Sequence, residues 1–283
     1  MYNDFNQTTA KKFRENLQSD CSKCFGLCCV ALNTIASSDF AITKVAGKPC
    51  PNLQSCFRCG IHEQLREKGF RGCTVFDCLG AGQMVSQHTF KGQSWRENPK
   101  MAESMFHVFP IMEQLYEMMA YVSEALSYPL TSSLQQDLSV QLEALEALTK
   151  LDSDALMALD IMNYRMPINE RLLSASLSIR HASISSKNKR QLNYRGVNWM
   201  GKKLRGKDLR ATDLRGAYLI AADLQDTDLR GVDFIGADLR DANVSGANLS
   251  TSLFLTQMQI NSAKGSLQTT LPSHIQRPFH WSN

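Results

Sequence analysis

Residues 194–254 read YRGVNWMGKKLRGKDLRATDLRGAYLIAADLQDTDLRGVDFIGADLRDANVSGANLSTSLF. Every fifth residue is large and mostly apolar: Tyr194, Trp199, Leu204, Leu209, Leu214, Leu219, Leu224, Leu229, Phe234, Leu239, Val244, Leu249 and Phe254. The residue two before it is often small, as at Ala217, Ala222, Ala237, Ala242, Ala247 and Ser252. The residue one before is usually Asp or Asn, from Asp208 through Asn248. A period of five matches neither the 3.6 of a helix nor the 2 of a strand. It matches a square coil whose side is one five-residue unit, with the large and small residues inward and the other three outward. Four sides make a turn, and successive turns stack at about 4.8 Å. Gly206, Gly216, Gly231, Gly236 and Gly246 recur two positions after the large residue, where a tight corner favours glycine.

This A-[D/N]-L-x-x pattern resembles the pentapeptide-repeat family, which implies a right-handed quadrilateral β-helix of about three turns. The outward charges are mixed: Arg205, Arg210, Arg215, Arg230 and Arg240 alternate with aspartates, giving nine basic and eight acidic residues over the stretch. Some pentapeptide-repeat proteins mimic DNA with an acidic surface and protect topoisomerases. The mixed charge argues against that role here, and against a nucleic-acid partner. The first turn, with Lys202, Lys203 and Lys207, is basic. The remaining outward charges are expected to form a solvated face.

The chain of 283 residues has length for about two domains. Its net charge of +4 is too small to require a polyanionic partner. No apolar run is long enough to cross a membrane, and residues 1–20 lack the apolar core of a signal peptide. A cytoplasmic location is therefore expected. All nine cysteines fall between Cys21 and Cys78. In a reducing compartment such a cluster binds metal or does redox work more often than it forms disulfides.

The cysteines begin as Cys21-x-x-Cys24-x-x-x-Cys28-Cys29 and continue as Cys50, Cys56, Cys59, Cys73 and Cys78. Two thiols separated by two residues lie on one tight turn and reach a single ion, as in zinc and iron–sulfur sites. Adjacent Cys28 and Cys29 point apart, and so serve two ions or two edges of one cluster. The wider pattern adds Cys50-Pro51-x-Leu53, Cys59-x-Ile61-His62, Arg66 and Cys73-x-x-Phe76-x-Cys78. It resembles a bacterial family of cysteine-rich zinc- or iron-chelating domains. The chain departs from that family by one extra residue in the first cluster, by His62 in place of Tyr, by the lack of Pro after Arg66 and by the extra Cys56. The resemblance implies metal binding, by zinc or an iron–sulfur cluster, through Cys21, Cys24, Cys28, Cys29, Cys50, Cys59, Cys73 and Cys78. His62 and His88 are expected to be ordinary surface or neighbouring histidines, and Gly80, Gly82 and Gly92 to mark a turn.

Phe5, Phe13 and Leu17 give residues 1–20 a weak apolar face. Residues 95–190 carry helical periodicity. Met105, Phe109, Met112, Leu115, Tyr116 and Met119 define one helix in which Pro110 predicts a kink or break. Leu134, Leu138, Leu142, Leu145 and Leu148 define a second. A third starts at a cap at Asp152 or Ser153 and runs through Met162, and Pro167 separates a fourth, Ile168–Ile179. These faces read as bundle core, with Met112, Met118 and Met119 as an alternative soft binding surface. Ser183, Ser185, Ser186, Lys187, Lys189 and Arg190 read as a basic linker. Beyond Phe254, Thr256–Ala263 is expected to be a short helix capping the open end of the coil. The tail through Trp281 resembles a bacterial subgroup of pentapeptide-repeat proteins, some labelled for antibiotic resistance.

The sequence thus predicts an α+β protein in three parts: a cysteine-rich metal-binding module (1–94), a helical segment with linker (95–190), and a capped pentapeptide coil (191–283). No nucleophile–base pair, phosphate loop or dinucleotide fingerprint is present. The expected function is a cytosolic, metal-stabilised interaction protein whose coil is a rigid binding surface for a protein partner. The resemblance also implies pairing of coils end to end as a homodimer. The alternatives are a zinc or iron–sulfur enzyme of redox or group-transfer type, and a resistance protein shielding a nucleic-acid enzyme.

Overall fold

A computed structural model describes residues 7–182 and 192–281. Phe5 and the basic linker residues Ser183, Ser185, Ser186, Lys187, Lys189 and Arg190 lie outside the described residues. The chain divides into two compact units, residues 1–126 with 135–171, and residues 127–134 with 172–283. The helical segment 95–190 is shared between them.

The first unit is built on helices. They are α1 (Gln7–Asn16), α2 (Leu27–Ala31), α3 (Arg71–Val75), α4 (Ala81–Met84), α5 (Pro99–Leu126), α6 (Ser132–Thr149), α7 (Ser153–Met157) and the start of α8 (Met162–Ala182). Helix α5 is the spine, and α1, α2, α4 and α7 all pack on it. Its Met105, Phe109, Met112, Leu115, Met118 and Met119 are buried, so the methionines are core and not an exposed binding surface. Leu138, Leu142 and Leu145 of α6 are buried as the leucine stripe predicts. Asp152 caps α7 by accepting the Ala155 N–H at 2.9 Å.

Four local expectations need correction. The helix capped by Asp152 ends at Met157, short of Met162, where α8 starts instead. Helix α5 is unbroken at Pro110, and α8 begins before Pro167 and runs through it. Proline removes one N–H from a helix, but the apolar side chains buried near each proline, Phe109 and Met112 in α5 and Ile168 and Leu172 in α8, hold the helix. Gly80 and Gly92 lie in turns as expected, but the segment between them is not a turn throughout. It forms α4, continued by a π-type turn over Val85–Thr89.

The second unit is the coil. Parallel bridges join residues twenty apart, from Asn193 with Asp213 to Asp233 with Leu253, so four five-residue units make one turn. The expected β content is not realised as strands. Among the described residues only isolated bridges form, because each side of the square is bounded by a turn at both ends and holds one pairing residue. In each unit the N–H three residues after the inward residue closes the corner, as Val197 N–H does onto Tyr194 C=O at 3.1 Å. The corner residue has positive φ. It is glycine at 196, 201, 206, 216, 231, 236 and 246, but Ala211, Ala221, Asp226 and Asp241 hold the same conformation with φ of 54–57°. The Asp or Asn column has a purpose that the repeat pattern alone left unread. Each of these side chains accepts the N–H two residues on, as Asp208 does from Arg210 at 3.1 Å and Asn243 from Ser245 at 3.1 Å. These are Asx turns, repeated at the corners.

The inward residues from Trp199 through Leu249 are buried in one continuous core with the small residues two before them. The coil does not stop at Phe254. Lys264 bridges Asn243 and Thr270 bridges Asn248, so a further partial turn carries α9 (Gln257–Ser262) as an insertion. Thr256 and Gln259 form a reciprocal capping box at its start. The tail folds back, and Trp281 is buried in the same core with its indole N–H on Ala263 C=O at 3.1 Å.

Candidate functional site

The cysteines are held by short backbone devices of the first unit. The 3-10 turn Cys21–Lys23 is capped by Asp20, which accepts the Ser22 N–H at 2.9 Å. Gly26, with φ of 68°, turns the chain into α2, which carries Cys28 and Cys29. Cys50 N–H donates to Cys29 C=O at 2.9 Å, and an antiparallel bridge joins Leu53 to Cys59. Cys78 precedes α4 and accepts or donates a bond with Ser19 Oγ at 3.2 Å.

These devices make eight thiols electrostatic neighbours of one another in a connected series. Cys21 has Cys78 and Cys29 as electrostatic neighbours, Cys24 has Cys78, and Cys28 has Cys29, Cys24 and Cys21. Gly82 of α4 lies against this group: a Cβ there would stand 2.8 Å from Cys24 Sγ and 3.6 Å from Cys78 Sγ. Cys73 has Cys29, Cys50 and Cys59 as neighbours, and Cys59 has Cys29 and Cys50. The Cys28 and Cys29 sulfurs lie 4.0 Å apart in hydrogen-bond contact, so these two thiols do not point apart as the sequence suggested. Cys56 stands apart, exposed on the 54–58 loop with its thiol on Gln54 Oε1 at 3.7 Å. His62 and His88 are exposed. Among the described residues no three His, Cys, Asp or Glu side chains stand in a ready-made coordination set. All nine cysteines are free thiols.

The electrostatics are those of crowded thiols. Burial pushes Cys21, Cys24 and Cys59 up, and burial with the neighbouring Cys29, Cys50 and Cys59 pushes Cys73 up to about 12. The hydrogen bond from Cys28 raises that thiol well above its ordinary value and lowers Cys29. Cys24 sulfur accepts N–H bonds from Leu27 and Gly26, and Cys59 sulfur accepts one from Ile61; both favour thiolate. Lys44 is a buried cation beside four of these thiols. Its ammonium donates to Val30 C=O at 3.3 Å and to Leu32 C=O, and faces Cys50, Cys29, Cys28 and Cys73. Nothing in the cysteine spacing singles out Lys44, which the chain reaches by the Thr34–Lys44 bridge.

The second unit offers a different kind of surface. Asp208, Asp228 and Asp238 each fork the arginine two residues on, with contacts of 2.6–2.9 Å to Arg210, Arg230 and Arg240. The coil's mixed charges are thus largely neutralised in place. Not all outward positions are solvated, however. Asp213, Arg215 and Asp233 are buried under the C-terminal half of α8. Arg180 of α8 pairs with Asp213 at 3.3 Å and donates to Ala211 C=O at 3.1 Å, while Arg215 pairs with Asp233 at 3.3 Å.

Repeat period, corner chemistry and core agree with the known families. The chain matches the family described as Pentapeptide repeats, in eight copies, over residues 203–231 and 212–250. It belongs to the pentapeptide-repeat family. It is 50% identical over 266 residues to YybG of Bacillus subtilis (strain 168), itself uncharacterized, covering 94% of this chain and 95% of that protein. A pentapeptide repeat protein from the Arabidopsis thaliana thylakoid lumen, solved at 1.7 Å, is 26% identical and has a TM-score of 0.14; the match covers 29% of this chain and 60% of that one. No helix of the described residues is long and apolar enough to cross a membrane.

Proposed function

We propose that this protein is a cytosolic metal-binding interaction protein, in which thiolates fold the first unit around zinc or iron and the coil, a right-handed quadrilateral β-helix, presents a rigid surface to a protein partner. The observation that carries this reading is the gathering of eight thiols from five separate stretches of chain around α2, with N–H donors already aimed at Cys24 and Cys59. The donor set fits a thiophilic ion: it is all sulfur, and such sites are closed four-thiolate shells with a structural role. A bound cation supplies the charge that the crowded thiols lack, and removes their protons. Cys21, Cys24, Cys28, Cys29, Cys50, Cys59, Cys73 and Cys78 are the ligands of this reading. Nine free thiols in one stretch suit a reducing compartment. On the coil unit, exposed Met200, Tyr218, Met258, Leu267 and Phe279 supply apolar area for a partner or a second copy.

The test is metal content together with a visible spectrum on protein purified without oxygen. Zinc without colour supports the structural reading. Iron with labile sulfide and absorbance near ~400 nm shifts it to a cluster with redox chemistry. Metal-free protein that folds and resists metal uptake overturns it.

A further inference from the structure

We infer that the first turn of the coil carries a docking site: an exposed patch of Met200, Lys202, Lys203 and Tyr218 that takes an acidic segment of a protein partner, with an apolar residue as its anchor. This rests on the part of the reading above that gives the coil a protein partner, and adds the place and the chemistry of that partner. It is independent of the metal.

The repeat marks the place by breaking its own rule. From Asn193 to Asn248 every residue of the Asp/Asn column accepts the N–H two residues on, except Lys203 and Tyr218. Neither of these has a carboxylate or amide oxygen to offer. Leu253 also departs from the column but is buried, whereas Lys203 and Tyr218 are exposed. A local stabilising device given up at exposed positions points to function and not to folding. The departures fall close together. Asn198 bridges Tyr218, with Trp199 N–H on Tyr218 C=O and Gly201 N–H on Ile220 C=O, both at 2.8 Å. Met200 lies between those two bonds and so shares a side of the coil with Tyr218; the two are 53% and 52% exposed. Lys202 and Lys203 follow at the end of that side, with the Lys202 ammonium 4.9 Å from the centre of the Trp199 ring. Helix α8 covers Asp213 and Asp233 on the preceding side and leaves this one open.

Charge selects the partner. Six of the nine basic residues between Tyr194 and Phe254 lie in the first turn, 193–212, with one of the eight acidic residues, Asp208. Arg205 is tied to Asp226 of the next turn at 2.9 Å, and Arg210 to Asp208 at 2.9 Å. Among the described residues no carboxylate pairs with Arg195, Lys202, Lys203 or Lys207. Asp223, which Lys203 bridges, is held instead by the backbone and side-chain N–H groups of Gln225, both at 3.1 Å. Uncompensated ammonium groups draw a negatively charged segment. The Met200 thioether adapts to an apolar side chain, and the Tyr218 ring is of the kind that dominates protein–protein contacts. A nucleic acid fits less well. Tyr218 is the exposed ring of the patch, while Trp199 is buried beneath Lys202 and offers no face to a base.

The experiment measures binding of fluorescent probes to the full chain by anisotropy, at low and at physiological salt. The probes are a glutamate–leucine peptide, a glutamate–serine peptide and a lysine–leucine peptide of equal length, and a single-stranded oligodeoxynucleotide. The glutamate–leucine peptide should bind tightest, and less tightly as salt rises. Lys203→Asn and Tyr218→Asn restore the missing column residue. Each should leave the coil as stable as before, or more so, in denaturant melts, yet weaken that peptide by about tenfold or more. Tyr218→Phe should stay near wild type. Lys264→Ala removes an exposed cation elsewhere on the coil and should leave binding unchanged. An equal loss in Lys264→Ala, or a loss in the column variants that follows only from a destabilised coil, overturns the inference. So does tighter binding of the serine or the lysine peptide. Binding of the glutamate–leucine peptide that both column variants leave intact overturns the place and spares the reading of the coil as a partner surface. Tightest binding by the oligonucleotide overturns both. A folded chain that binds none of the probes overturns the inference and leaves the metal reading to its own test.

Discussion

The two units solve the same problem by opposite means. The coil stacks one five-residue device many times, so each inward Leu or Phe meets the like residues above and below and a continuous apolar core follows. The cysteine region of the first unit has few large buried side chains before α5; its Leu27, Val30, Leu65 and Phe70 stand among loops and one-turn helices. A repeat makes its core by translation, whereas a loop-rich module of this size needs a staple. The difference teaches where each unit is vulnerable: the coil at its ends and covered face, the module at its thiols.

The largest effect should come from withdrawing metal. On the metal-binding reading proposed above, chelation under reductant should melt the cysteine region, with on the order of 10 kcal/mol at stake for a structural zinc site, while the coil stays folded. Hydrogen exchange on the full chain would report the two separately; equal loss of protection in both units would break the contrast. Next is the end of the coil. Trp281→Ala should destabilise the second unit by about 3–5 kcal/mol, because the indole lies across Gly265, where a Cβ would meet its ring at 2.4–2.6 Å. Denaturant melts with a probe in the coil would measure it.

Arg180→Ala tests the covered face. It strands Asp213, whose side chain is 8% exposed, and should cost about 3 kcal/mol or more. Arg240→Ala, which breaks an exposed fork, should cost less than about 1 kcal/mol. If the two cost the same, burial of that face by α8 is not what matters.

A smaller effect depends on pH and sits in the first unit. Burial, and then the neighbouring Glu117, pushes Glu113 up to about 7 from its ordinary 4.5. The folded state therefore holds a proton that the unfolded chain gives up. Stability on this account is full below about pH 4.5 and falls as pH rises toward 7, by on the order of 2 kcal/mol. Glu113→Gln should flatten that slope in urea melts taken between these pH values. Smallest is Ala221→Gly. Ala221 is exposed and holds φ of 54°, so glycine should stabilise the coil by about 1 kcal/mol or less. A calorimetric shift in the other direction would mean that the corner tolerates Cβ without strain.

The coil was legible because its information is local. The Leu column, the small residues two before it and the glycine corners all lie within five residues, and the structure places them as the period demands. The Asx turns were equally local; Asp followed by Arg two residues on was visible and was read only as charge alternation. Helix breaks at Pro110 and Pro167 were read from propensity, which packing of the neighbouring side chains overrides. The end of the coil was misplaced because the register slips by one residue at Lys264 and two at Thr270, where the five-residue signal is lost.

The sequence by itself determined the repeat, its inward face, the helical stretches and a cysteine cluster confined to 58 positions. It did so because period and composition are properties of neighbouring residues. Folding in three dimensions set the contact of the Cys28 and Cys29 sulfurs, the burial of Lys44 beside four thiols, and the cover of α8 over Asp213 and Asp233. The last two depend on residues ten to sixty positions apart, brought together by backbone bonds and bridges that no local pattern encodes.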